Sequence, residues 1–253
     1  MTTDQQTPGV PPTTGDPADD EGRVRDVVLV HGAFADGSGW RGVHDRLTAR
    51  GYRVAVVQNP LTSLADDVAA TRRVLDSRTG PTLLVGHSWG GTVITEAGEH
   101  PSVVGLVYVS ALSPDAGETT SQQYEGFAPT PEFVIRTGED GFGFLDHDGF
   151  AAGFAADADP ADAAFLRDAQ VPIAMSAFGV PVAHAAWRTR PSWAVIATED
   201  RAFDAAMLRH MASRIGAEVV EVVGGSHASY LTRPDVVADA IDHAARHALV
   251  TSG

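Results

Sequence analysis

Three side chains far apart in the chain have the types needed for acyl transfer through a covalent intermediate: Ser88, Asp200 and His227. A serine hydroxyl is a weak nucleophile until a base removes its proton, and that base needs an acid to hold its tautomer. Ser88 sits in Gly86-His87-Ser88-Trp89-Gly90-Gly91, directly after the apolar, β-prone run 82–85. Val93, Ile94 and Ala97 follow with the spacing of one helix face. A strand that turns at once into a helix strains the backbone of its corner residue, and side chains two positions away on either side would collide. Glycines at 86 and 90 remove the collision, so the hydroxyl can project above the strand end. A serine in such a turn also serves as an ordinary helix N-cap, so its reading depends on the other residues.

His227 lies in Gly224-Gly225-Ser226-His227-Ala228, a flexible turn after the last strand, with no other structural task. It is therefore the expected base. His44, His210, His243 and His247 fall inside expected helices, His100 at a helix end and His147 among acids. Asp200 follows the strand 193–197 after Thr198-Glu199 and is the favoured acid. Glu199 and Asp115 are the alternatives. A tetrahedral intermediate needs two donors for its oxyanion. The amide of Trp89 is one, and the loop after the first strand supplies the other, from Ala33 or else Phe34. His31 is read as bonding loop backbone, and His87 as a neighbour of the turn or a pocket wall.

These residues need a scaffold that gathers them. Apolar strands are expected at 26–32, 53–57, 82–85, 103–109, 192–198 and 218–223. Helical patterns fall at 40–50, 63–77, 89–100, 203–215 and 234–249, with Asp66 and Asp67 in the first turn of the second and Pro234 opening the last. Solid aliphatic strands alternating with helices mean a parallel sheet covered on both faces. His31, Ser88, Ser110, Glu199, Asp200 and His227 all fall at carboxyl ends of strands, where chemistry collects in such sheets.

The stretch 111–190 differs. It is rich in Gly, Ala, Asp and Pro, yet holds eight of the ten phenylalanines. A span this long is no simple loop, and a helical cap over the strand ends is expected. Phe127, Phe144 and Phe178 from the cap, with Phe34, His87 and His184, are the expected substrate contacts. The division is then a tail at 1–24, a core from 25–110 and 191–250, and the cap. The tail is rich in Pro, Thr and Asp and too poor in aliphatic residues to order itself.

Composition removes whole classes of chemistry. The 253-residue chain has no cysteine, hence no thiol nucleophile, disulfide or thiolate metal site. It has no lysine either, since all eighteen basic residues are arginine, which excludes Schiff bases and a P-loop clamp. A net charge of −15 argues against nucleic acid and anionic membrane. No signal peptide and no membrane-spanning run are visible, so a cytoplasmic monomer or homodimer is expected.

Val30-His31-Gly32-Ala33-Phe34 with Gly39-Trp40, and Gly86-His87-Ser88-Trp89-Gly90-Gly91, resemble α/β-hydrolase-fold serine hydrolases. The nearest likeness is to small bacterial esterases akin to the plant methyl-ester esterase and hydroxynitrile lyase group. The resemblance runs from about residue 25 to 249, least in the cap. It implies a mostly parallel sheet with helices on both faces, and the order Ser88, Asp200, His227 is that of the class. It also implies an oxyanion hole from Ala33 and Trp89. Phe203-Asp204 replaces the family's usual proline-containing continuation, and the two strands that usually open the fold are missing, leaving about six.

The expected activity is hydrolysis of a small carboxylic ester or lactone with an apolar or aromatic portion, without metal or organic cofactor. The alternatives are a C–C lyase or biosynthetic tailoring enzyme on the same scaffold, and a binding protein that keeps the triad. The plant hydroxynitrile lyases rely on a pocket lysine that this chain lacks.

Overall fold

The computed structural model describes residues 24–248, so the expected tail at 1–24 lies almost wholly outside the described residues. The chain begins with β1 (Asp26–Val30), a 3₁₀ turn at Gly37–Trp40, α1 (Arg41–Ala49), β2 (Arg53–Val57) and α2 (Leu64–Asp76). The nucleophile region follows as β3 (Thr82–His87), α3 (Trp89–Ala97) and β4 (Val103–Val109). An insertion then holds β5 (Ile135–Thr137), β6 (Phe142–Leu145), α4 (Phe150–Phe154), α5 (Pro160–Asp168) and β7 (Ile173–Ala174). The core resumes with β8 (Ser192–Ala197), α6 (Ala205–Arg214), β9 (Glu218–Val222), α7 (Ser229–Thr232) and α8 (Pro234–His247).

Six strands form one sheet in the order β2-β1-β3-β4-β8-β9, with every neighbouring pair parallel. Every residue of β1, β3 and β8 is buried, while β2 and β9 at the edges are partly exposed. Burial on both faces explains why the central strands read as unbroken aliphatic runs and show no alternation. Such a sheet presents its strand ends on one rim, and β1, β3, β8 and β9 deliver residues 31–34, 88, 198–200 and 224–227 there. Helix α8 closes one face with Val237, Ala238, Ile241, Ala244 and Ala245. It is tied to α1 and its neighbourhood by the Arg46–Asp235 ion pair and by Tyr52 Oη donating to Asp242 at 2.7 Å. Among the described residues no helix is long and apolar enough to cross a membrane.

The insertion departs from a purely helical cap. Besides α4 and α5 it contains a three-stranded antiparallel sheet in the order β5-β6-β7. Gly138-Glu139-Asp140-Gly141 makes the turn between β5 and β6. The Gly138 amide donates to Phe142 O at 2.8 Å, and Gly141 sits at φ 80°. In β6 Gly143 and Leu145 are buried while Phe144 is exposed. That is the two-residue period of a strand, flanked by a Gly-bearing turn. The helical cap was expected from the length of the span, and strands of two to four residues leave too short a period to read.

The turn between β3 and α3 is possible only because three backbones nearly touch. A Cβ on Gly90 would lie 2.6 Å from Val30 O and 2.9 Å from His31 O. One on Gly86 would strike the Gly90 carbonyl, and one on Gly91 the Leu112 carbonyl. Gly90→Ala is therefore expected to destabilise the fold by about 3 kcal/mol, since backbone and not flexible side chain must give way. Gly179→Ala, with nothing within 4 Å, should shift stability by less than about 0.5 kcal/mol. Urea unfolding of the two variants checks the contrast.

Candidate active site

Ser88 holds φ 53° and ψ −122° at the N-cap of α3. A non-glycine residue there stores about 1–3 kcal/mol of strain, and such strain gathers at functional sites. Ser88 is 7% exposed and lines a cavity of about 340 Å³ together with Trp89, Ala33 and Phe34. Trp89 opens α3, so its amide belongs to the first turn, which has no intrahelical partner and carries the positive end of the helix dipole.

The Asp200 carboxylate is buried and divided in function. Its Oδ1 accepts from the amides of Ala202 and Phe203 at 2.8 and 2.9 Å, and its Oδ2 lies 2.8 Å from His227 Nδ1. A carboxylate facing imidazole assigns the proton to Nδ1 and leaves Nε2 with its lone pair. That Nε2 is buried and makes no hydrogen bond, so it is not bonded to Ser88 in this state. Glu199 is exposed, and Asp115 is paired with Arg188, which holds its carboxyl below the ordinary range. Neither alternative acid reaches the imidazole.

His227 is walled by rings. Phe154 and Phe203 stand edge-on at 5.0 Å and Phe133 at 6.1 Å. Phe133 and Phe203 also line the cavity above Ser88, so hydroxyl and imidazole share neighbours. The insertion grips the histidine's loop. The Ala228 amide donates to Phe154 O at 2.9 Å, and the Ser226 amide to Asp157 Oδ1 at 3.2 Å. Sequence reading passed over Phe133, Phe154 and Phe203 as site residues. Phe203, three positions after Asp200 where the resemblance leads one to expect proline, was the available signal.

The two other histidines of the rim are structural. His31 Nε2 accepts from the Asn59 amide at 2.9 Å, so Nδ1 carries the proton and faces Gly32 O at 2.9 Å. His87 Nε2 lies 2.9 Å from the His227 carbonyl, to which it donates. Desolvation, then the neighbouring His227, push the His87 pKa well below its ordinary value, and burial likewise lowers that of His31. Both rings are therefore neutral at neutral pH. Gly32 is required beside them, since a Cβ there would lie 2.8 Å from Ser88 Cβ. The loop then turns at Phe34, whose φ is 61°. Among the described residues the amides of Ala33 and Phe34 have no carbonyl partner.

Of the expected substrate contacts, Phe34 and Phe178 line the cavity. The others lie elsewhere. His87 is buried behind His227, Phe127 packs on His210 at 5.5 Å, and Phe144 is exposed on β6. His184 is bound to Glu96 at 2.9 Å, on the outer side of α3. The phenylalanines were expected from their number in the insertion, and the two-residue period of β6 turns Phe144 outward. In their place stand Leu112, Tyr124, Phe133, Ile135, Phe203 and Met207.

A family model described as "Alpha/beta hydrolase family" matches residues 27–240. The alpha/beta hydrolase nvfD of Aspergillus novofumigatus is 29% identical, over 88% of this chain and 97% of that protein. A crystal structure of a pyrethroid hydrolase from Sphingobium faniae JZ-2 superposes with a TM-score of 0.74 at 25% identity, covering 88% and 98% of the two chains. Polyneuridine aldehyde esterase superposes at 0.75 with 18% identity, over 87% and 99%, which shows the shared fold.

The shared carboxylate makes Asp200→Asn informative. An amide cannot accept from both the 202–203 backbone and Nδ1, and two amide donors outweigh one. Its NH₂ is expected to face His227 and move the imidazole proton to Nε2. Nitrogen-15 NMR of the histidine ring should show that exchange of tautomers, with helix content unchanged.

Proposed function

The chain belongs to the alpha/beta hydrolase family, and on that footing we propose that it is a serine esterase in which Ser88, His227 and Asp200 act in sequence. His227 Nε2 takes the hydroxyl proton as Ser88 Oγ bonds to the ester carbonyl carbon. The carbonyl π-pair moves onto oxygen, which meets the amides of Trp89 and Ala33. Collapse breaks the C–O bond to the alcohol, which leaves with the proton from Nε2. Water then repeats the attack on the acyl-enzyme, giving its proton to Nε2, and the acid departs as Ser88 recovers its hydrogen. Asp200 holds the ring and stabilises the imidazolium between steps.

One observation carries this reading: among the described residues, an imidazole with Nδ1 bonded to a buried carboxylate and Nε2 left unbonded shares the walls Phe133 and Phe203 with a cavity lined by a serine in strained backbone. That combination serves proton transfer and has no use in packing alone. The substrate class follows from the cavity. Its walls are mainly aromatic and aliphatic, and among the described residues no arginine lines it and the one charged lining residue, Asp204, caps α6 by accepting from the Ala206 amide at 2.8 Å. Neutral esters with apolar or aromatic portions suit such walls, and a carboxylate on the substrate would be desolvated without a partner. The pyrethroid hydrolase likeness supports the same substrate class.

A fluorophosphonate probe should label Ser88 and abolish hydrolysis of neutral aryl esters. Ser88→Ala and His227→Ala are each expected to lower kcat by about 10⁴-fold with the fold intact. Asp200→Asn should cost less than Ser88→Ala and far more than Glu199→Gln. Aryl esters carrying a carboxylate should react at least about tenfold more slowly than neutral ones of equal size. Unlabelled wild-type protein without ester turnover would overturn the assignment.

A further inference from the structure

Asp66 and Asp67 stand together at the start of α2, and only Asp66 does the ordinary work of a helix start. Its carboxylate accepts from the Thr62 and Ser63 hydroxyls at 2.7 Å, while its amide donates to Ser63 Oγ. Asp67 points the other way and is fully buried. Its Oδ1 accepts from the Leu61 amide at 2.8 Å, and its Oδ2 from the indole Nε1 of Trp89, also at 2.8 Å. Both partners are neutral. Asp66 is the charged neighbour that bears on it, and it acts in the same direction as burial.

Each bond reaches a place of backbone strain. Leu61 is a fully buried non-glycine residue at φ 58°, and Trp89 directly follows Ser88 at φ 53°. Strained residues persist where their surroundings over-determine them. The Leu61 carbonyl in turn accepts from the Ala174 amide at the end of β7, 2.9 Å away. The turn after β7 carries Phe178, whose ring meets the Trp89 ring at right angles, 5.2 Å centre to centre. A closed circuit therefore runs from Trp89 through Asp67, Leu61 and β7 to Phe178 and back to Trp89.

We propose that Asp67 is a positioning residue that locks the turn carrying Ser88 and the Trp89 amide to the wall of the insertion. This rests on the reading of Ser88 as the nucleophile and Trp89 as an oxyanion donor. A carboxylate suits the task because it only accepts, and two N–H groups converge on it. An amide would turn a donor toward one of them. The fold bears a cost for this choice. Desolvation, outweighing the bonds from Trp89 and Leu61, raises the Asp67 pKa from 3.8 to about 6. A carboxyl whose folded value lies above its unfolded one stabilises most below 3.8 and loses that contribution as pH rises to about 6. At neutral pH the ionised group thus weakens the fold it sits in, as expected of a residue kept for geometry more than for stability.

Three variants test the proposal: Asp67→Asn, Trp89→Phe and the two combined. Each single change should lower kcat for a neutral aryl ester about 10- to 100-fold with KM within about threefold, because misplacement near the reacting atoms costs rate more than binding. The Tm of Asp67→Asn near neutral pH should stay level or rise, and the double variant should fall no further than the worse single one. Trp89→Phe leaves the Asp67–Leu61 bond in place, so it decides the matter if Asp67→Asn does not fold. By NMR, the Trp89 indole N–H of the wild type should titrate with a midpoint near pH 6 and lose that transition in Asp67→Asn. This last readout needs no turnover, so it separates failure of the Asp67 proposal from failure of the esterase reading. The proposal is overturned by kcat within about twofold of wild type, by kcat and Tm falling in parallel, by additive losses, or by an indole indifferent to pH.

Discussion

Everything at the strand rim depends on how closely the first loop approaches the turn after β3. Ser88 keeps its left-handed backbone because glycines at 86, 90 and 91 let that turn fold onto the carbonyls of Val30, His31 and Leu112. Gly32 lets the loop after β1 come up against Ser88 from the other side. The result is a serine at a corner, a helix start beneath it, and two loop amides lining the same cavity that have no carbonyl partner among the described residues. A methyl group at any of these glycines would have to push the facing backbones apart.

The core alone does not complete the site. β8 delivers Asp200 and the loop after β9 delivers His227, and the 2.8 Å bond between them orients the ring. The loop that bears His227 is then fastened by the Phe154 carbonyl and the Asp157 carboxylate, both from the insertion. The insertion also supplies Phe133 and Phe154 to the wall around the imidazole and Phe178 to the face of Trp89. It acts less as a cover and more as a second support.

Legibility of the sequence followed burial. β1, β3, β4 and β8 were readable because strands buried on both faces must be aliphatic throughout, and the elbow because only glycine permits it. Ser88 and Asp200 stood out since each follows such a strand, and His227 since it sits in a glycine-rich turn after the edge strand β9. The insertion was opaque for the opposite reason. Its strands are two to four residues long, so periodicity had too little length to register. Which phenylalanines line the cavity of Ser88 depends on those unread elements: Phe144 alternates outward on β6, and Phe178 turns inward from the 3₁₀ turn after β7. Asp67 was hidden differently: beside Asp66 it looked like one of a pair serving the helix start, and only tertiary contacts separate the two.

The hydrogen bond from Ala228 to Phe154 bears on how such a fold can diversify. The segment between β4 and β8 supplies much of the cavity wall, so exchanging it would be the direct way to reshape that wall. Here that segment holds the loop of His227 by its own main chain. A transplanted replacement would have to bring an equivalent carbonyl to the same spot, or the imidazole would drift while the new binding walls were perfectly formed. In this chain, a change of wall and the hold on that loop are therefore one problem and not two.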